Sequence, residues 1–474
     1  MHDESDARPA DLMSRFSSET RPVRRAAVFT IVVLALLMLS VDSTIVATAL
    51  HALQHGLNTS INWASWTITA YAFGVVLMLP LSGKLSERYG RRRVFLASVA
   101  AFTAASLLCG LSDNIYALIA LRAVQAAGGA GFTPSATGII VDHFGDARDR
   151  AVGLFGSVFS VGAMIGPIFG GLFVEYWNWR GVFFVNVPIG LAIIASGLHY
   201  IPRDRPRAEK VRQSMDTAGM ALLGVVLLAG MLAANALGER GTHAWSPAFA
   251  APLAVAIIAL WAFFRHIGRE TEPFIAPRFI HGPGFSTINL FNVLYGGVTN
   301  GVMALVPLYA IGRYGIGTLD SGTLLIAQGG AAIVLSIAAA MVLRLTGYRP
   351  PLYVGGSAMA VGALLLALPP AGGVSPYAWL AGAAFLIGVG SGIINPASRN
   401  AGLMLAPESS STLAALRSMG RQIGTIIAVS IATAVIADSA DPGDVQAWVY
   451  VAAAALLVAA MPLVARVPEH RGAW

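Results

Sequence analysis

"GKLSERYGRRRV", residues 83–94, is a short basic turn caught between two apolar runs at 62–83 and 93–112. Each run is close to the 20 or so residues that a helix needs to cross a bilayer. The composition outside the turn says the same. Over 474 residues the chain is 56% hydrophobic and 12% charged, with a mean hydropathy of +0.68. A globular domain carries about 25% charged residues. The chain lacks the polar surface of a water-soluble protein this long, so an all-α integral membrane protein is expected. Its single cysteine, Cys109, excludes an intrachain disulfide framework and a cysteine-cluster metal site. No short apolar stretch with a small-residue cleavage site precedes the first run, so no removable signal peptide is expected.

Breaks at charge clusters and at Pro/Gly turns divide the chain into fourteen expected spans, near 26–50, 62–83, 93–112, 115–141, 149–174, 181–201, 215–238, 247–267, 285–311, 320–343, 351–369, 376–404, 410–437 and 445–466. Charge placement is an independent test of the count. With an even number of spans, both termini and the loops at 83–93 and 202–212 share one side. That side holds 24 of the 31 basic residues, and only Arg180, Arg240 and Arg313 lie opposite. The excess marks it as cytoplasmic. The expected location is the cell (cytoplasmic or inner) membrane, multi-pass, with both termini inside. The net charge of +7 is then a topology signal, and no nucleic-acid partner is expected.

The longest hydrophilic loop separates six spans from eight. Transporters are commonly built from two six-helix halves, and six plus two plus six fits fourteen. The expected organisation is an N-terminal tail (1–25), a first bundle (26–201), a loop (202–213), an inserted helix pair (214–268), a second bundle (269–466) and a tail (467–474). "RYGRRR" (88–93) and "RLTGYRP" (344–350) are faint echoes of an internal repeat.

Several stretches carry specific chemistry. In the basic turn, Gly83 permits close helix approach, Glu87 and Arg88 can pair across the bundle, and Gly90 permits a tight reversal before Arg91 and Arg92. The plain alternative is a topology anchor. "RAVQAAGGAGFTP" (122–134) puts Arg122 inside the fourth span, with Gln125 one turn on. In "GAMIGPIFGG" (162–171), Gly162, Gly166 and Gly170 line one helix face, Gly171 follows, and Pro167 bends the helix. Such a ladder by itself signifies tight helix packing.

Together these stretches resemble the major facilitator superfamily, and within it the fourteen-helix drug/proton antiporter branch. The turn at 83–94 is similar to the superfamily's signature loop, with Glu87 where aspartate is usual. The stretch 122–131 is similar to its fourth-helix arginine motif, and 162–171 to its antiporter motif. "VDST" (41–44), "WNWRGVFFVNVPIG" (177–190), "PFIAPRFI" (273–280) and "RQIGTIIAVSIA" (421–432) resemble further stretches of that branch. The resemblance implies the major facilitator fold and multidrug efflux by alternating access, driven by proton entry, as in antibiotic resistance. The implied partners are a small amphiphilic or aromatic substrate, protons and the bilayer. The chain is expected to be a monomer, and a periplasmic adaptor is compatible with it. Export of a lipid or an endogenous metabolite, nutrient import, and a non-transporting membrane sensor are the alternatives.

No enzyme is expected. Gly83–Lys84 is followed by Leu85 and ends an apolar run, so it is no P-loop. "GVGSG" (388–392) lies inside an apolar run with no strand before it, and the nine histidines are scattered without paired i, i+4 spacing inside an expected span. Neither a cofactor nor a metal is expected.

Three sets of site residues are expected. Trp63, Thr67, Tyr71, Gly74 and Met78 on the second span, and Asn292, Gly296, Asn300, Met303 and Pro307 on the ninth, follow helical spacing. With Gln125, Arg417 and Arg421 they are expected to line a central substrate cavity; helix–helix contact is the competing reading. Arg421 lies about 16 Å into the thirteenth span, at 1.5 Å per residue. It needs an internal partner or an anionic group on a ligand. Last, "LLMLSVDSTIVATAL" (36–50) is a greasy run with Asp42 in its interior. Asp42 and Arg122 both fall about 12 Å below the outer face, which makes them natural partners. If protons drive transport, Asp42 is the expected carrier. A permanent salt bridge is the alternative.

Overall fold

The computed structural model describes residues 25–144, 155–204, 216–237, 245–273, 275–282, 284–405, 410–437, 439–467 and 469, and every regular element among them is a helix. Most of the two tails and of the 202–213 loop lies outside the described residues, as do Arg148, Arg150 and Arg240. In chain order the helices are α1 (Arg25–Gly56), α2 (Ile61–Tyr89), α3 (Arg91–Leu111), α4 (Ile115–Gly129), α5 (Phe132–His143), α6 (Phe155–Tyr176), α7 (Gly181–Phe184), α8 (Asn186–Tyr200) and α9 (Thr217–Leu237). They continue as α10 (Pro247–Ile267), α11 (Arg278–His281), α12 (Phe285–Gly296), α13 (Val306–Tyr314), α14 (Thr318–Thr346), α15 (Arg349–Ala367), α16 (Pro376–Leu405), α17 (Ser410–Ala437) and α18 (Pro442–Ala460).

Helix starts follow local chemistry. Ser60, Asn114 and Asp441 cap α2, α4 and α18 by accepting backbone N–H bonds at 2.8–3.3 Å. Proline sits in the first turn of α10, α13, α15 and α18, where its missing N–H costs nothing.

Twelve described helices are long and apolar enough to cross a membrane, so the chain is a multi-pass membrane protein. A thirteenth is the pair Phe285–Val302 and Val306–Tyr314, bent by 41°. The fifth expected span, 149–174, overlaps α6, of which Val161–Tyr176 is a shorter apolar helix, and its first residues lie outside the described set. The fourth and sixth expected spans each run as one span, Ile115–His143 and Gly181–Tyr200, with a local turn at Ala130–Gly131 and at Val185, whereas the ninth is bent and carries a π-helical turn at Gly297–Val302.

Two separate hydrophobic cores form. One draws only on residues 28–201 and includes Phe95, Phe102 and Phe132. The other draws only on residues 288–467 and includes Tyr309, Tyr348 and Tyr450. Where the halves meet, Ile45, Leu50 and Leu53 of α1 join Leu305, Ala432 and Ile436 in a shared cluster. A second seam packs α9 (Leu223, Leu227, Met231) and α10 (Phe263, Ile267) against Trp66, Ala72 and Val76 of α2 and Met419 and Ile426 of α17. A hydrogen bond between the hydroxyls of Ser65 and Thr433, 2.9 Å long, ties α2 to α17.

The glycine ladder fixes α6 on α1. A Cβ at Gly162 would stand 2.5 Å from the Ser40 Cβ. At Gly166 it would overlap Thr44 Oγ1 and lie 2.9 Å from the Val41 carbonyl oxygen; at Gly170 it would overlap Thr48 Oγ1. Ser40 Oγ donates to the Phe159 carbonyl at 2.6 Å. The other side of α6 meets α14 just as closely. A Cβ at Gly171 would stand 3.0 Å from Leu319 Cα, and one at Gly322 2.6 Å from the Pro167 carbonyl oxygen. Small residues on both sides let α6 touch both halves through backbone.

Candidate functional site

Asp42 sits in the middle of α1 with 0% of its surface exposed. Its carboxylate is held by three donors from two helices. Arg122 Nη1 donates to Oδ2 at 2.8 Å. Gln125 Nε2 and Asn186 Nδ2 donate to Oδ1 at 2.9 and 2.7 Å. Arg122 and Gln125 lie one turn apart on α4, so both point the same way. Asn186 opens α8 immediately after Val185, whose backbone is helical, so its amide projects from the continuous span Gly181–Tyr200.

The second layer is as ordered. Arg122, 1% exposed, also donates to Gln125 Oε1 at 2.6 Å and to the Thr67 carbonyl at 3.2 Å. Its guanidinium lies 4.3 Å from the Tyr71 ring centre and 5.6 Å from that of Phe183. Gln125 donates onward to Ser106 Oγ at 2.7 Å. The buried acid is thus compensated three times, and the buried cation has a carbonyl and a ring face as further partners. Asn186, Ser106 and Phe183 were not singled out from sequence. A lone amide before Pro188 in the apolar stretch "FFVNVPIG" is the signal that marks Asn186.

The expected stripe on α2 is placed against α4. Thr67 and Tyr71 surround Arg122, and Gly74 abuts Ala123 and Ala126. Trp63 stacks with Trp66 and Tyr116, and Met78 is half-buried. Of these, Thr67 and Tyr71 touch the buried pair through Arg122.

In the second half, Asn292 Oδ1 accepts from Ser398 Oγ at 2.9 Å. At Gly296 a Cβ would overlap the Arg421 backbone. Asn300 Oδ1 is 3.5 Å from Arg421 Nη2. The stripe does not continue evenly. The π-helical turn changes the angular step, and Met303 belongs to the second core, 1% exposed, with Pro307 buried beside it. Arg417 Nη2 donates to both the side-chain and the backbone oxygen of Asn395, the latter at 3.4 Å. The Arg421 guanidinium lies 4.8 Å from the Tyr295 ring centre.

At the basic turn, Gly90 adopts φ +102°, and a Cβ there would overlap the Asp204 carboxylate. That carboxylate accepts from the Arg92 and Arg93 backbone N–H groups at 2.9 and 3.2 Å, capping α3 from the far end of the first half. Arg92 Nη2 donates to the Leu198 carbonyl at 2.6 Å. The residue that pairs across the helices is Arg91, 3.1 Å from Asp142, in place of the expected Arg88. Arg88 is exposed and lies over the ring of its neighbour Tyr89. The Glu87 side chain lies outside the described set. Gly83 has open space around it.

Comparison with known proteins places the fold and the family. The solved structure of a peptide transporter POT in complex with sulfate superposes with a TM-score of 0.65 at 17% identity, covering 94% of this chain and 96% of that one, a likeness of fold. The tetracenomycin C resistance and export protein of Streptomyces glaucescens is 32% identical over 68% of this chain, and the match spans 60% of the relative's own length. The multidrug transporter protein MdtP of Bacillus subtilis is 29% identical, with 74% of this chain and 64% of that protein matched. The methylenomycin A resistance protein of Streptomyces coelicolor is 29% identical over 92% of this chain and 91% of its own length. A sequence model described as Major Facilitator Superfamily matches residues 32–429, and the chain belongs to that family.

Proposed function

We propose that this chain is a proton-coupled exporter of amphiphilic or aromatic small molecules. It would work by alternating access in the cell membrane, with fourteen spans and both termini cytoplasmic. The names of its relatives, resistance and export proteins among them, support efflux. The observation that carries the coupling is the Asp42 carboxylate, fully buried and held by Arg122, Gln125 and Asn186.

The cycle follows from that arrangement. A proton taken up from outside neutralises Asp42 and removes the charge that Arg122 answers. Arg122 then leans on the Thr67 carbonyl and the Tyr71 ring, both already in reach. The α1–α4 bond loosens, and α1 moves with α6, to which the glycine ladder fastens it. Because α6 also touches α14, a change at Asp42 reaches the second half. Release of the proton to the cytoplasm restores the ion pair and resets the carrier.

The test is Asp42→Asn, purified, shown to be folded and to bind substrate, then reconstituted with an imposed pH gradient. Coupling requires retained binding with loss of gradient-driven accumulation. Undiminished accumulation overturns the proposal and leaves a structural salt bridge.

A further inference from the structure

Two arginines of α17, Arg417 and Arg421, stand apart from the rest. Arg91, Arg122, Arg180, Arg313 and Arg349, in or at the ends of spans, each pair with a carboxylate, namely Asp142, Asp42, Asp113, Asp444 and Glu469. The hydrogen-bond and ring partners found for Arg417 and Arg421 among the described residues are neutral, namely Asn395, Asn300 and the ring of Tyr295, and Arg399 adds a third cation within electrostatic reach of Arg417. The Nε–H of each is buried and without a hydrogen-bond partner. The two cations also sit one turn apart on the same face of α17, where like charges repel. Two adjacent guanidinium groups with unused donors, well inside an apolar span, are costly unless an anion joins them.

We infer that Arg417 and Arg421 form an anion-binding subsite, and that the exported compounds are amphiphiles carrying a carboxylate or another acidic oxygen. This rests on the efflux reading above. The chemistry fits in detail. A guanidinium presents parallel N–H donors that match the two oxygens of a carboxylate. Two of them one turn apart match an anion with oxygens on both sides. Tyr295 offers a ring face beside the charge, so an aromatic system attached to the anion can stack there. Asn300, in the π-helical turn, supplies a neutral oxygen for a hydroxyl next to the anion. The same chemistry could be met by the headgroup of an anionic lipid, and the experiment separates the two sources.

The experiment measures binding to the full-length protein in neutral detergent, with no gradient, of a matched pair of probes: pyrenebutyrate and its neutral N-methylamide. Wild type, Arg417→Gln, Arg421→Gln and Arg421→Lys are compared, each first shown to be folded by the unreactivity of buried Cys109. The carboxylate should bind wild type about tenfold or more tighter than the amide, as a charge-assisted hydrogen bond allows. The preference should fall below about threefold in both glutamine variants and return in part with lysine, which keeps the charge. Equal binding of the two probes by wild type overturns the inference, as does a preference that survives in both glutamine variants. Displacement of pyrenebutyrate by phosphatidylglycerol, together with absent pyrenebutyrate counterflow in wild-type vesicles, assigns the subsite to lipid and also overturns it. The probe ratio needs no proton, so its failure is separable from a failure of Asp42 coupling, which only the gradient assay reads.

Discussion

Substituting alanine for Gly166 adds one methyl group where α6 crosses α1, and the structure fixes what it meets. The new Cβ overlaps Thr44 Oγ1 and lies 2.9 Å from the Val41 carbonyl oxygen, whereas ordinary contact begins at 3.4 Å. Thr44 can turn away, but a helix carbonyl cannot. The helices must separate by about 0.5 Å or more, and a gap of that size forfeits about a quarter of each neighbouring dispersion contact. Overpacking of this kind costs about 1–3 kcal/mol. The assay is built into the chain. Cys109 is its single cysteine and is buried, so its reaction with a fluorogenic maleimide during heating reports unfolding. Gly230→Ala on α9 is the control, since nothing lies within 4 Å of a Cβ there. Gly166→Ala should melt below wild type and below the control, and Gly166→Ala with Thr44→Ala should recover part of the loss. If Gly166→Ala melts no lower than Gly230→Ala, the backbone contact between α6 and α1 is not what the geometry says.

Gly90→Ala should cost about 1–2 kcal/mol, since a positive φ strains any side chain and the Cβ meets Asp204; the same maleimide melt reads it, and an unchanged midpoint refutes the cap. Asn186→Leu removes one of the three donors on Asp42 and strands the others' geometry, a loss of about 1–3 kcal/mol. It should lower gradient-driven transport in vesicles well below wild type, and wild-type rates would dismiss Asn186 from the site. Ser65→Cys with Thr433→Cys, in a Cys109→Ala background, places thiols where hydroxyls now stand 2.9 Å apart. Oxidation should cross-link the halves and arrest transport, reduction should restore it, and a failure to cross-link would show that this contact does not form in the membrane.

The bilayer makes much of this fold legible. Long apolar runs divided by basic turns give the spans, because backbone in hydrocarbon must form helices. The glycine ladder at 162–170 is visible because its spacing is the helix's own. Less visible is the π-helical turn at Gly297–Val302, because an extra residue in one turn leaves no periodic mark in an apolar run. The charges Asp42 and Arg122 are conspicuous in apolar surroundings, whereas Asn186 is one amide in an apolar run. Arg88 and Arg91 are indistinguishable in "RYGRRR", and only the helix directions after Gly90 decide which of them reaches Asp142. Asp204 caps a helix 112 residues earlier, a contact that no local pattern encodes.

The anion subsite proposed at Arg417 and Arg421, combined with the proposed proton coupling, has an electrical consequence. A carrier that exports a monoanion and admits one proton moves two positive charges inward per cycle. An inside-negative potential then drives export by about 4.6 kcal/mol for every 100 mV, twice the value of a single charge. Such a carrier works even without a pH difference, and its turnover can be followed as a current.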